Sequence, residues 1–363
     1  MTLNSIDMKH LGLTETFIQE SQKYRDLYIG RVSSQFKSVY KVITEKGELT
    51  AKISGKFLHS VRAMSEYPSV GDFVMVDRTD NAQGNGIIHH MLTRKSVFAR
   101  KVAGTTSDLQ VVATNIDTIL ICMSLNNDFN LRRLERYLSI AWDSGATPLI
   151  VLTKSDLCKD LESRLYDISS IAIGVDVLVT TSLSNDWQPS MKKYLSSGQT
   201  VAFIGSSGVG KSTLINCLLG HSVLDTGGIR NDDKGRHTTT RRELILLPGL
   251  GVVIDTPGMR ELGIISANLS KSFADIDDLA AQCHFNDCSH KSEPKCAVQK
   301  AIEDGHLSVE RLESYWKLKK EAKYDGLNSR MIEKEKINDI FGSVGGMKNA
   351  RKFLREQNKN KRR

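Results

Sequence analysis

The chemistry most plainly written into the chain lies in Gly205, Ser206, Ser207, Gly208, Val209, Gly210, Lys211 and Ser212. Together they fill the pattern GxxxxGK[ST]. Glycines at these spacings let the backbone curl so that successive N–H groups point at phosphate oxygens. Lys211 supplies positive charge for the β- and γ-phosphates, and the Ser212 hydroxyl is a Mg²⁺ ligand by type and place. The pattern alone also arises by chance, so its flanks matter. Val201–Ile204 reads as a strand, and Ser212–Leu219 reads as a helix without breakers. The N-terminus of that helix favours a bound anion, and Thr213 in its first turn joins the expected nucleotide contacts.

A second motif supports the first. The run from Gly251 to Asp255 is an apolar strand ending in a carboxylate, followed by Thr256, Pro257 and Gly258. Asp255 is placed to hold Mg²⁺ through water, and the Gly258 N–H to meet the γ-phosphate and sense its loss. These motifs suit an ATPase and a GTPase equally. Thr153, Lys154, Ser155 and Asp156 separate the two. A carboxylate at a strand end accepts two hydrogen bonds from guanine N1–H and N2–H₂, a donor pair adenine lacks. The lysine stem packs along the base. The usual form is Asn-Lys-x-Asp; here a threonine replaces the asparagine. Thr181 and Ser182, after the apolar run at 176–180, are placed to close on the base. The resulting order is guanine motif, closing loop, phosphate loop, Mg²⁺ aspartate. That is a circular permutation of the usual G-domain order, tolerable because it relocates termini while keeping sheet contacts.

Cys283, Cys288, His290 and Cys296 form a cluster of three thiols and one imidazole. This is the donor set of a closed, four-coordinate structural zinc site. His284 is a rival ligand, but its adjacency to Cys283 makes joint tetrahedral ligation awkward. A disulfide is the competing reading. Cys122 and Cys217 sit in apolar surroundings and, with Cys158, read as small hydrophobes.

These residues need elements to hold them. From Leu27 to Leu92, five short β runs are separated by turn-forming pieces such as Glu45-Lys46-Gly47. They predict a small barrel of OB type, with an open meander as the alternative. Residues 1–25 read as a short polar helix or arm, and Arg94–Lys101 as a basic link. Apolar strands then alternate with amphipathic helices, such as Leu131–Gly145, as in a mostly parallel sheet covered by helices. In such sheets ligands bind at the carboxyl ends of strands. The remainder is helical and charged. Ser308–Lys323 reads as a helix with a packing face at Leu312, Tyr315, Trp316 and Lys319. The expected domains are 1–100, 101–268 and 269–363.

The chain has 363 residues and a formal net charge of +8. Most of that excess lies between Lys348 and Arg363, where eight Lys/Arg face one acid, Glu356. Such a tail suits contact with phosphates. Barrel candidates for RNA contact are Arg31, Lys37, Lys41, Lys52, Lys56 and Arg62, interleaved with Phe36, Tyr40 and Phe57. No signal peptide or membrane-length apolar run is evident, so the expected location is the cytoplasm and no membrane partner is expected.

In its motif order, barrel-like N-terminus, Gly235-Arg236-His237-Thr238-Thr239-Thr240 segment and C-terminal cysteine cluster, the sequence resembles the RsgA (YjeQ) family. These are circularly permuted GTPases of ribosome assembly, and the resemblance covers nearly the whole chain. It implies an α/β protein with an N-terminal OB-like barrel, a permuted P-loop GTPase domain and a C-terminal helical zinc-binding domain. It implies binding to the small (30S) ribosomal subunit and 16S rRNA in late maturation, as a monomer. GTP would be hydrolysed to GDP and phosphate, with stimulation by the subunit. One structural Zn²⁺ and Mg²⁺ with GTP follow as cofactors. Met259 follows Gly258 where other GTPases carry a water-orienting glutamine. The family's substitute maps onto His237, and Thr239 is the chosen Mg²⁺ ligand among Thr238–Thr240. The alternative is an RNA-binding module that senses GTP and GDP with negligible turnover.

Overall fold

The structure, a computed structural model, describes residues 6–36, 38–101, 109–220, 242–255, 269, 271–323, 331 and 334. Helix α1 (Glu15–Ser21) buries Phe17 against Phe73, with ring centroids 4.5 Å apart. Five strands follow: β1 (Tyr28–Phe36), β2 (Val39–Thr44), β3 (Gly47–Ile53), β4 (Phe73–Val76) and β5 (Gly86–Met91). Short helix α2 (Gly55–Ser60) lies between β3 and β4. In β2 buried and half-buried positions alternate strictly, the mark of a strand with one face in a core. The strands are ordered β1-β2-β3-β5-β4, and β4 returns to pair with β1. The barrel is therefore closed, and the open meander is excluded. Its interior is filled by Val32, Tyr40, Val42, Leu49, Val74 and Ile88, among others.

Closure corrects two of the RNA-contact candidates. Arg31 is 0 % exposed and Tyr40 is buried in the barrel core. Arg31 donates to the carbonyls of Leu11, Gly71 and Asn115 and lies over the Phe73 ring. Burial pulls its pKa down to about 10, against the pull of Asp117 and Asp72. It ties the N-terminal segment to the barrel instead of facing solvent. Lys41 is paired with Glu48 at 2.8 Å.

The segment read as a basic link is a strand. β6 (Val97–Lys101) pairs antiparallel with β7 (Leu109–Thr114). Its leading cations are held locally. Arg94 makes a two-pronged contact with buried Asp72 at 2.8 and 2.7 Å, and Lys95 reaches Asp117 at 2.6 Å.

The second sheet is built from β8 (Thr118–Ser124), β9 (Thr147–Thr153), β10 (Val177–Val179), β11 (Thr200–Ile204), β12 (Glu243–Leu246) and β13 (Val252–Asp255). Helices α3 (Leu131–Asp143), α4 (Leu161–Ser169), α5 (Gln188–Lys192) and α6 (Lys211–Leu219) connect them. The order is β10-β9-β8-β11-β13-β12, parallel except for β12. Every residue of β8 is buried, as a central strand covered on both faces requires. Asn130 caps α3 by accepting from the Arg133 N–H, and Gly145 ends the turn after it with φ of 85°. The chain runs outward through β8, β9 and β10, then returns to place β11 on the other side of β8. Strand order reverses at that point, the place where sheets of this kind bind ligands at the carboxyl ends of their strands.

Strand β12 joins the two bodies, pairing with β13 on one side and with β1 of the barrel on the other, Ser34 opposite Glu243. The C-terminal part consists of α7 (Ala274–Ala280), α8 (Ala297–Glu303) and α9 (Val309–Lys323). Helix α9 buries Leu312, Tyr315, Leu318 and Ala322, so the predicted packing face is real, though Lys319 stays exposed on its rim. Among the described residues no helix is long and apolar enough to cross a membrane.

Candidate functional site

The phosphate loop leaves the end of β11 and closes into α6. Gly205 has φ of 147°, and a Cβ there would lie 2.5 Å from the Cys122 carbonyl. No other residue fits against β8 at that point. Gly210, at φ 102°, is the left-handed residue from which α6 starts. Lys211 folds back over the loop, its Nζ donating to the carbonyls of Gly205 at 2.9 Å and Ser206 at 2.7 Å. The ammonium is thus held against the first two residues of the loop. Cys122, beneath the loop, is fully buried, and burial pushes its thiol up to about 12. It is an inert filler, as its apolar setting suggests.

Thr153 ends β9, its hydroxyl donating to the Val209 carbonyl at 2.6 Å. It therefore ties the loop that follows β9 to the phosphate loop. Lys154 takes the left-handed conformation, φ 56°, and turns the chain sharply into a 3₁₀ turn at Ser155–Leu157. That turn lifts the Asp156 carboxylate into an exposed position at the rim of the crevice. There it accepts from the Thr181 hydroxyl at 2.7 Å. The Ser155 N–H donates to the Thr180 carbonyl, which adds a second link between the two loops. Ser182 is exposed beside them.

Asp255 ends β13, next to β11, and is buried. It stands on the same edge of the sheet as Ser212 and Thr213 at the start of α6. His237, Thr239 and Gly258 lie outside the described residues, as do Lys37 and the basic tail from Lys348 to Arg363.

Two contacts at this site had no sequence signal. Ser206 Oγ donates to Asp128 Oδ2 at 2.7 Å, and Asp128 is in turn paired with Arg133 of α3 at 3.0 Å. Trp187, at the start of α5, donates its indole N–H to the carbonyls of Thr181 at 3.1 Å and Ser184 at 3.0 Å. Neither residue type at either place stands out without the fold.

At the C-terminus, the ligand atoms of Cys283, Cys288, His290 and Cys296 lie within 4.8 Å of one another. A zinc tetrahedron with ordinary bond lengths has sulfur–sulfur edges of about 3.8 Å and sulfur–nitrogen edges of about 3.6 Å. The Cys283–Cys296 sulfurs are 3.8 Å apart, and His290 Nδ1 is 3.6 and 3.5 Å from them. The donor set and its spacing fit a tetrahedral metal, and His284 is not among them. His290 adopts φ of 60°, and its carbonyl accepts from Gln299 of α8. Burial, with Lys319 nearby, pushes the imidazole pKa down against Glu293 and Asp277, favouring the neutral, ligating form. Glu293 braces the loop by accepting from the N–H groups of Ser289, Lys291 and Ser292.

A network of charges fastens this module to α3. Arg311 of α9 makes a two-pronged contact with Asp275 and reaches Glu135 at 2.9 Å, while Ser314 also donates to Glu135. Burial opposes charge on Arg311, but Asp275 and Glu135 outweigh it and hold the guanidinium above its ordinary value.

Comparison with known proteins agrees with this geometry. The sequence model of the RsgA GTPase family matches residues 91–265. The small ribosomal subunit biogenesis GTPase RsgA 2 of Lactiplantibacillus plantarum is 49% identical over 352 residues, covering 97% of this chain and 98% of its own. The RsgA of Methanosarcina acetivorans is 42% identical, covering 91% and 89%. The crystal structure of YjeQ from Thermotoga maritima superposes with a TM-score of 0.61 at 26% identity, covering 82% of this chain and 99% of that one. That of YloQ, a circularly permuted GTPase, gives 0.59 at 26% identity, covering 83% and 96%. Identity of 49% to an RsgA over nearly its whole length, with the architecture described above, shows that the chain belongs to the RsgA family of small ribosomal subunit biogenesis GTPases and is a GTP hydrolase.

Proposed function

We propose that the chain binds the small (30S) ribosomal subunit through 16S rRNA during late maturation and hydrolyses GTP to GDP and phosphate when the subunit stimulates it. The observation that carries the nucleotide reading is the hydrogen bond from Thr153 to the Val209 carbonyl. It locks the guanine-reading turn to the phosphate loop, so one rigid crevice faces both ends of a nucleotide. Residues Gly205 to Thr213 cradle the phosphates, with Lys211 as the charge on the β- and γ-phosphates. Asp156 accepts from guanine N1–H and N2–H₂, Lys154 lies along the base, and Ser155, Thr181 and Ser182 close its edge. Ser212 and Asp255, with Thr239 from the switch, are the residues that would hold Mg²⁺, which neutralises phosphate charge when bound. Gly258 meets the γ-phosphate, and His237 orients water in place of glutamine.

Zinc is the metal proposed for Cys283, Cys288, His290 and Cys296, in a structural role, since all four positions are filled by protein. The domains are then 1–100 with the barrel, 101–268 with the G domain and 269–363 with the zinc module and basic tail. Lys52, Lys56 and Arg62, all exposed, remain the barrel's RNA-facing candidates. The protein acts as a monomer in the cytoplasm. Phosphate release from GTP, measured with and without purified small subunits, tests the proposal. Release stimulated by subunits supports it, and His237→Ala keeps GDP binding while losing that release. No release under either condition leaves the nucleotide-sensing RNA-binding module as the better reading.

A further inference from the structure

Resting on the guanine reading above, we infer that Trp187 is a positioning residue for base selectivity, acting by aiming the Ser182 N–H at the base. None of the residues from Thr181 to Asp186 is buried, and Leu183 is 78% exposed. The loop has no core side chain of its own to fix it, and Trp187, 6% exposed, provides the anchor. Its ring belongs to the apolar cluster that contains Val209 of the phosphate loop and Leu214, Ile215 and Leu218 of α6. Its neighbour Gln188 donates to the Cys217 carbonyl of the same helix. The indole N–H is shared between the carbonyls of Thr181 and Ser184. One buried group therefore registers the closing loop against the phosphate-binding helix.

The consequence for the base follows from peptide geometry. In a trans peptide the C=O and the following N–H point in opposite directions. The indole draws the Thr181 carbonyl inward, so the Ser182 N–H faces outward, beside Asp156. The Thr181 hydroxyl, which accepts from the Leu183 N–H at 3.1 Å and donates to Asp156, holds the carboxylate in the same frame. An acceptor and a donor then stand side by side. Guanine presents N1–H to the first and O6 to the second, whereas adenine presents the opposite pattern. Trp187 thus makes the closing loop a second discriminating element beside Asp156.

The test is Trp187→Phe, which keeps an aromatic ring and removes the N–H. GDP affinity is measured beside that of 6-thioguanosine diphosphate, which keeps N1–H and N2–H₂ and carries a weakly accepting sulfur in place of O6. The expected result is a loss of about tenfold for GDP, the size of one ordinary hydrogen bond, and a distinctly smaller loss for the analogue. KM for GTP rises in step while kcat at saturation stays unchanged. Equal losses on both ligands mean a merely structural role and overturn the inference, as does no loss on either. If the variant does not fold, Ser182→Pro removes the N–H with the indole intact, and the same selective loss is required of it. Asp156→Asn, read as a shift from GDP toward xanthosine diphosphate, checks the guanine reading separately. If that shift is absent the base assignment falls, and if it is present while Trp187→Phe is silent only the positioning role falls.

Discussion

Thr153 stands where the usual Asn-Lys-x-Asp pattern has asparagine, and its hydroxyl reaches the Val209 carbonyl, at 2.6 Å and buried. Gly210 packs beside it, where a Cβ would lie 3.8 Å from the Thr153 Cβ, an ordinary contact; its φ of 102°, and not a lack of space, is what calls for glycine. Thr153→Val keeps the shape and leaves that carbonyl without its partner, a cost of about 1–3 kcal/mol. The two loops would lose registry, and calorimetric titration is expected to show about tenfold weaker GDP binding, with Thr153→Ser restoring most of it. The motif residues were legible because each works with neighbours a few positions away: a glycine curl, a helix start, a carboxylate ending a strand. Their tethers were not, because Thr153 acts on a carbonyl 56 positions on. Asp128 and Trp187 escaped notice for the same reason. No local pattern marks a side chain whose partner is set by tertiary contact.

Elements rich in apolar residues were equally plain, and those with mixed character were not. β8, β9, β11 and β13 are near-continuous apolar runs, as buried parallel strands must be. β6 was hidden by the cations in and before it, because the pairing of Arg94, just ahead of the strand, with buried Asp72 cannot be read from charge alone. β12 has only four residues and owes its place to β13 and β1. Helix α9 was legible as a packing face, but its dock on α3 was not. That dock depends on Arg311, 3% exposed, between Asp275 and Glu135. Removing one member of a buried ion network strands the others and costs about 3–5 kcal/mol. Arg311→Met is therefore expected to lower stability by about that amount in chemical denaturation. Glu135→Gln, which keeps hydrogen-bonding capacity toward Ser314, should cost less. If Arg311→Met loses under about 1 kcal/mol, the network does not hold the helices together.

On the scale of the molecule, the loop from Gly205 to Ser212 and the Cys₃His module are linked through side-chain contacts across α3. Ser206 touches Asp128, Asp128 pairs with Arg133 of α3, and Glu135 of the same helix holds Arg311 of α9. Cys283, Cys288, His290 and Cys296 sit between α7 and α8, two short helices of seven residues each. Helices of that length are not stable alone, so a metal held there would add local order to the core packing of Ile276, Val298 and Ala301. Removing zinc with a chelator is expected to unfold this module, seen as lost helical signal and new protease cleavage between 283 and 296. The proposed nucleotide residues stand on strands and a helix with their own core, among them Leu120, Leu149, Phe203 and Leu214, so GDP affinity should change by no more than a few fold. Acidification acts in the same direction. His290 has its pKa pushed below the ordinary 6.5 by burial, so the folded module resists the proton that the unfolded chain accepts. Its contribution to stability is present above about pH 6.5 and declines as pH falls below that value. Thiolate protonation adds to the decline, and zinc release should track it. If purified protein carries no zinc, or if chelation leaves the helical signal and cleavage pattern unchanged, Cys283, Cys288, His290 and Cys296 do not form a structural metal site.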